Sequence, residues 1–307
     1  MNGIQRCVGI NLTASKLQFI EIEKESVQLH VVNLGQTFIS PPIVYDVQDE
    51  TLIQQQIQAA FDELRIRNPI SSNIASFTLP PELFMTIQLP YDTNLTQKEI
   101  REEFNWEISQ LFPFIAVEDL AIKFYELDGS FLPGRNNALI VALNKSFLLL
   151  IKNFCLKNNL TPKLVDNASI TANSFINNYL DNSKKAVSIN LFNSKNSITL
   201  FINILSKPAY VKVFSKHNDD YIGEIIEEIS KNNFKEVLTR SFNSAILSGE
   251  ELEGDLLSEI GRGTELVFEK LNPFEVIRFK PNYQNPEISP EQFSSFTSAT
   301  GIASRFN

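Results

Sequence analysis

Along this chain apolar runs of strand length alternate with short polar stretches, and one such arrangement occurs twice. Val8 to Lys16 reads VGINLTASK and Val187 to Lys195 reads VSINLFNSK, so both follow Val-x-Ile-Asn-Leu-x-x-Ser-Lys. Each is apolar in the manner of a buried strand, breaks into a polar loop, and resumes in β-branched and aromatic residues, Phe19-Ile20 in one and Ile198 to Ile202 in the other. The pattern predicts a β-hairpin in both places. A repeat separated by more than half the chain is not a solenoid period, so it predicts two similar lobes that open with the same hairpin.

Between and after the repeats the periodicity changes. Val27 to Val32 extends the first sheet, and Phe38 to Pro42 turns the chain toward a helix from about Asp49 to Arg67, where Ile53, Ile57, Ala60, Phe61 and Leu64 make one apolar stripe. Ile74 to Leu79 reads as a strand that Pro80-Pro81 ends, because proline removes a ladder donor and fixes φ. A new subdomain is expected there. Met85, Ile87 and Leu89 alternate with polar residues up to Pro90, and Thr96 with Glu99 forms a capping box before Ile100, Phe104, Ile108 and Leu111. That helix stops before Pro113 and places Trp106 opposite its stripe, among Glu102, Ser109 and Gln110. Trp106 is then either covered by another element or a contact for a partner, since Trp is enriched in interface hot spots.

Strands follow at Ala121 to Leu127 and Asn137 to Leu143, then a helix from Ser146 to Asn158, a turn at Leu160 to Asp166, and a helix from about Ala168 to Leu180. Asp181-Asn182-Ser183 reads as the connection between lobes. In the second lobe Ala209 to Phe214 extends the sheet, and Tyr221, Ile222, Ile225, Ile226 and Ile229 mark a helix. The closing helix, Ser298 to Arg305, is expected to dock on the first lobe through Phe296, Ala299, Thr300 and Ala303.

Composition narrows the function classes. With 27 basic and 36 acidic residues among 307, the net charge is -9, which argues against broad contact with nucleic acid or an anionic membrane. Lys and Asn interrupt the longest apolar tract, Ala138 to Phe154, so no membrane span is expected. Met1 to Arg6 lacks the apolar core of a secretory signal, and a reducing, cytoplasmic setting fits Cys7 and Cys155 as buried free thiols. With two histidines, His30 and His217, no zinc-type cluster can be assembled, and His217 beside Asp219 and Asp220 reads as a solvated helix start.

The paired hairpins resemble those of the actin, sugar-kinase and Hsp70 group, whose loops read Asp-x-Gly. There the loop amides hold nucleotide phosphates and the acid holds magnesium. Here Asn11 and Asn190 stand where the acids would, Thr13 and Phe192 where the glycines would, with Ser15 and Ser194 later in each loop. Ala245 to Gly249 resembles the adenosine loop of that group, its Ser248-Gly249 followed by Glu250 where a second Gly is expected. The resemblance therefore implies a degenerate nucleotide site and no cofactor, an active Mg-ATP protein or filament former being the alternative.

A more specific likeness runs nearly the whole length. Gln88-Leu89-Pro90, Trp106-Glu107 and Pro113-Phe114 match in order and spacing the inserted subdomain of the PilM family, actin-like components of type IV pilus assembly, related to the secretion protein GspL and the division protein FtsA. Leu160 to Asp166, Leu271 to Phe274 and TGIASR at Thr300 to Arg305 are also family-like. The resemblance implies an α/β, actin-like (ribonuclease H-like) fold of two lobes, 1–185 and 186–307. It also implies a small insertion at about 78–159 and a last helix at about 291–306 docking back on the first lobe. It implies a non-enzymatic cytoplasmic scaffold that binds the N-terminal peptide of a PilN-like inner-membrane protein, with Met85, Ile87, Trp106 and Phe112 as candidate contacts, no metal site, and contact with the membrane only through that partner. Self-association and a GspL-like role in type II secretion stay open.

Overall fold

The computed structural model describes residues 5–26, 28–45, 49–129, 136–179, 187–231, 242–250, 256–281, 283 and 288–305. Two five-stranded sheets and one three-stranded sheet make up its frame. The first sheet is built from β1 (Gln5–Leu12), β2 (Lys16–Glu25), β3 (Gln28–Phe38), β4 (Ile74–Leu79) and β8 (Thr161–Asn167), in the order β3-β2-β1-β4-β8. The second uses β9 (Val187–Asn193), β10 (Ser197–Ile204), β11 (Lys207–Ser215), β12 (Phe242–Gly249) and β13 (Phe268–Lys270), in the order β11-β10-β9-β12-β13. In both, the first three strands are antiparallel and the last two add in parallel. The sequence repeat is thus the visible part of a repeat of whole sheets.

Each sheet carries helices on one outer face. Helix α1 (Glu50–Arg67) and α3 (Lys145–Lys157) bury Ile57, Phe61, Ile151 and Phe154 against Val8, Ile10 and Phe77 of the first sheet. Asp49 caps α1, its carboxylate accepting from Thr51 N at 3.0 Å. On the second sheet, α5 (Tyr221–Ser230) and α6 (Leu256–Thr264) do the same through Ile225, Ile229 and Ile260. A short turn of helix, α7 (Pro273–Val276), leads toward the C-terminal part of the chain.

Two helices lie between the sheets and exchange places. Helix α4 (Ala168–Tyr179) leaves the first sheet and packs on the second, Ala168 and Ala172 against Phe192. Helix α8 (Thr297–Ala303) comes from the second lobe and lies on β1, β2 and β4 of the first. The closing helix expected at about 291–306 is shorter: a 3-10 turn covers Pro290–Phe296, and α8 follows. Nor does it have the wet face expected of an amphipathic helix. All seven of its residues are buried, because a sheet covers one side and α4 another. Gly9 allows the approach: a Cβ there would stand 2.1 Å from Ala299 O.

The third sheet, in the order β5-β7-β6, comprises β5 (Phe84–Tyr91), β6 (Leu120–Glu126) and β7 (Asn136–Asn144), with α2 (Gln97–Leu111) across one face. Thr96 and Glu99 form the capping box, and Ile100, Phe104 and Ile108 are the buried stripe of α2. The opposite face of this sheet, Leu139 and Val141, packs on Phe201 and Val211 of the second lobe. As a packing unit the insertion is narrower than about 78–159, since Thr78 belongs to β4 and α3 joins the core of the first sheet. The stretch Leu160 to Asp166, expected as a turn, is mostly strand β8, paired in parallel with β4 despite Pro162. The edge position tolerates the missing donor. The inter-lobe connection at 181–183, and with it the boundary expected at 185, lies outside the described residues.

Candidate functional site

The ends of β1, β4, β9 and β12 converge on a cleft between the lobes. Asn11, Thr13, Tyr45, Glu82, Phe192, Ser194, Gly249 and Glu250 are among its lining, around a cavity of about 50 Å³. Small-molecule sites commonly enclose about 300–1,000 Å³. Of the residues singled out from sequence, Asn11, Thr13, Phe192, Ser194, Gly249 and Glu250 meet here. Asn190, Ser15 and Ser248 are not part of the lining.

The reason is a difference in strand length. Both Asn11 and Asn190 lie within strands, but β1 ends one residue after Asn11 while β9 runs three residues past Asn190. The turns are therefore two residues out of step with the sequence repeat. Thr13 N donates to Lys16 O at 2.9 Å in one hairpin, and Ser194 N donates to Ser197 O at 2.9 Å in the other. Asn190 is consequently deep in the sheet, donating to Asn173 Oδ1 of α4 at 2.7 Å, within a layer of amides completed by Asn177 and Asn203. Asn11 donates to Gln18 Oε1 at 3.0 Å and accepts from Thr78 Oγ1 at 2.9 Å.

Several donors of each hairpin loop have partners within the protein. In the first, Thr13 Oγ1 accepts from Ser15 N at 3.3 Å and Lys16 N at 3.0 Å. In the second, a residue of the other lobe fills the loop. Glu82 Oε1 accepts from Ser197 Oγ at 3.0 Å, from Asn196 N at 3.2 Å, and from Ser194 Oγ. Gly249 closes the far side at φ +98°, where a Cβ would meet Asn193 O at 2.2 Å, and Asn193 Nδ2 holds Glu250 O at 2.9 Å. Burial, with Glu82 as a lesser cause, pushes the Tyr45 phenol well above its ordinary range, so it stays protonated.

These residues match a magnesium polyphosphate poorly. Asn11 presents an amide at this cleft, Phe192 fills the space beside Ala168 and Ala172, and two carboxylates, Glu82 and Glu250, face it. No group of three or more His, Cys, Asp or Glu side chains suited to a metal ion occurs among the described residues. Both cysteines are buried free thiols, and burial pushes the thiol of Cys155 up to about 12. Sequence reasoning missed Glu82 and Tyr45. The one local signal was Pro80-Pro81, which sets the 3-10 turn Pro81–Leu83 that presents Glu82.

A second site lies on the three-stranded sheet. Between α2 and β6 a groove of about 460 Å³ is walled by Phe104, Val117, Leu120, Ile122 and Phe124 and rimmed by Arg101, Glu118 and Lys145. Strand β6 is the edge of its sheet, with no strand on its outer side among the described residues. Met85, Ile87 and Phe112 are half-buried against the α2 core and do not line this groove. Trp106 is 60% exposed, so no element among the described residues covers it, and Phe114 beyond the helix end is fully exposed.

No helix among the described residues is long and apolar enough to cross a membrane. Among solved structures, the PilM–PilN type IV pilus biogenesis complex aligns with a TM-score of 0.69 at 17% identity, covering 97% of each chain. A Bacteroides thetaiotaomicron protein with an actin-like ATPase fold aligns at 0.54 and 14% identity, covering 88% of this chain and 91% of that one. These likenesses establish an actin-like α/β fold of two lobes. A sequence comparison with curated proteins gives no match. The family model for the type IV pilus assembly protein PilM matches residues 9–228, well over half the chain, and the chain therefore belongs to the PilM family.

Proposed function

We propose that this protein is a non-catalytic scaffold of a type IV pilus inner-membrane platform, and that it captures the short cytoplasmic N-terminal peptide of a PilN-like membrane protein. The observation that carries the reading is the groove between α2 and the edge strand β6. An open strand edge offers unpaired backbone groups, and an extended peptide added to it places alternate side chains into the groove. The apolar wall from Leu120 to Phe124 suits apolar residues at those positions, while Arg101 and Lys145 suit a peptide with acidic or carbonyl groups at the rim. The PilN half of the structural relative supplies the partner class. Trp106, exposed on the next face of α2, is proposed as an additional contact, and Met85, Ile87 and Phe112 as the packing that holds α2 in place. The inter-lobe cleft is proposed to have no nucleotide cofactor, on the strength of its amide, Phe and carboxylate lining.

The test leaves the protein unchanged and alters the peptide. Calorimetry with the partner's N-terminal peptide is expected to give saturable binding. A proline scan should abolish binding at every second position, where a peptide N–H would donate to β6. Absence of binding refutes the capture reading, and a scan without alternation refutes strand addition. For the cleft, millimolar Mg-ATP is expected to leave the thermal midpoint unchanged, whereas a ligand at 100 times its Kd would add about 2.7 kcal/mol. A rise of several degrees would refute the loss of nucleotide binding.

A further inference from the structure

The loop from Ser194 to Ser197 gathers two hydroxyls and a backbone N–H on a single oxygen, and that oxygen belongs to the other lobe. All three groups converge on Glu82 Oε1, supplied from 112 residues away. The loop does not need Glu82 to keep its shape. Ser197 N donates to Ser194 Oγ at 3.2 Å, Ser194 N donates to Ser197 O at 2.9 Å, and Lys216 Nζ holds Ser194 O at 2.6 Å. The acid is fixed independently as well. Pro80 and Pro81 end β4, Leu83 N donates to Pro80 O at 3.1 Å, and Leu83 packs on the core of the first sheet. Two rigid parts thus meet as ligand and receptor. The first hairpin differs, for its Ser15 and Lys16 amides donate to Thr13 Oγ1 of the same loop, and no acid bonds to them among the described residues.

We propose that Glu82 is a ligand in cis for the second hairpin loop, holding the donors of Ser194, Asn196 and Ser197 and barring free oxyanions from them. Hydrogen bonds to an ionised acceptor are the stronger kind, and three of them meet on this one carboxylate oxygen. Because the acid is tethered, its local concentration far exceeds that of a dissolved anion, so an incoming phosphate must displace it. The Glu82 residue is exposed overall, which lets the carboxylate leave the loop without unfolding the lobe beneath it. The contact also ties the lobes together at the mouth of the cleft. This inference is independent of peptide capture at β6.

The test is calorimetric titration of the intact protein with inorganic phosphate, for the wild type, Glu82→Ala, Glu82→Gln, and Glu82→Ala combined with Ser194→Ala and Ser197→Ala. The wild type is expected to bind weakest. Glu82→Ala should bind at least about tenfold more tightly, as removal of a tethered competitor allows, with Glu82→Gln in between. The triple variant should lose the gain. Should Glu82→Ala fail to fold, the isosteric Glu82→Gln still carries the test, and its binding phosphate no better than wild type overturns the proposal. The proposal also fails if the triple variant binds as tightly as Glu82→Ala.

Discussion

Gly9→Ala tests the placement of the C-terminal helix on the first sheet. Gly9 is an interior residue of β1, so an alanine would cost nothing in strand conformation. The obstacle is entirely steric: the new Cβ would lie 2.1 Å from Ala299 O, 2.8 Å from Ala303 Cβ and 2.9 Å from Ala303 N. Two of these three atoms are backbone, so no side-chain rotation relieves the clash. Relief requires α8 to move off β1, and α8 is also tied to α4, where Ser298 Oγ donates to Ala168 O at 3.1 Å. Overpacking a well-filled core costs about 1–3 kcal/mol, and a backbone obstacle belongs at or above the top of that range. At roughly 2 °C per kcal/mol, the lower end of the range for somewhat shorter chains, a cost of about 3 kcal/mol should lower the thermal midpoint by about 6 °C. The assay is a calorimetric or circular-dichroism melt, with Gly129→Ala as control, since among the described residues an added Cβ there meets nothing nearer than Asn136 Oδ1 at 3.7 Å. A midpoint for Gly9→Ala within about 1 °C of the control would refute the close packing of α8 on β1.

Glu228 and Glu23 are both buried, which by itself would raise their pKa values, but bonds from Lys212, Lys231 and Tyr210 to Glu228, and from Lys280 and Arg6 to Glu23, hold both below the ordinary 4.5. Their contribution is complete above about pH 4.5 and is lost as the pH falls through the depressed folded values. The urea midpoint should therefore be flat from neutral pH to about 5 and then drop, and the drop should be shallower in Glu23→Gln/Glu228→Gln; an equally steep drop in that variant contradicts the assignment. Phe104→Ala, which empties a position 1% exposed in the α2 core, should cost roughly 3–5 kcal/mol in chemical denaturation. Trp106→Ala should stay within about 0.5 kcal/mol while weakening the PilN-like peptide by more than about 1 kcal/mol; equal losses of stability at the two positions would mean that α2 is turned the other way.

Several elements were legible because their causes are local. The Asp49 cap and the stripe from Ile53 to Leu64 give α1, Thr96 with Glu99 starts α2, and Pro113 follows its last turn. The repeat of Val-x-Ile-Asn-Leu gave two hairpins, and the structure extends it to two sheets of the same strand order. The insertion words around Trp106 pointed to the PilM family, which the family match bears out. Less was legible in the cleft. Motif alignment put Asn190 beside Asn11 and Ser15 beside Ser194, yet hairpin length is set by pairing along β9 and β10, which the motif ends too early to include. Leu160 to Asp166 was expected as a turn, and only its place at the edge of the first sheet, paired with β4, makes it a strand.

The sequence by itself determined whatever depends on neighbours within a turn or two: caps, proline stops, the side of α2 that carries Trp106, the twin hairpins, and through them the fold class. Tertiary structure decided what depends on residues far apart in the chain. The seat of Glu82 in the Ser194 loop joins positions 112 apart, and the bond from Gln18 Nε2 to Ser295 Oγ joins positions 277 apart. That α8 is buried on every side was likewise invisible, for its short run of Thr, Ser, Ala and Gly has no strong apolar stripe. Small residues are what two backbones need in order to touch, and whether a second backbone is there to touch is a property of the assembled lobes.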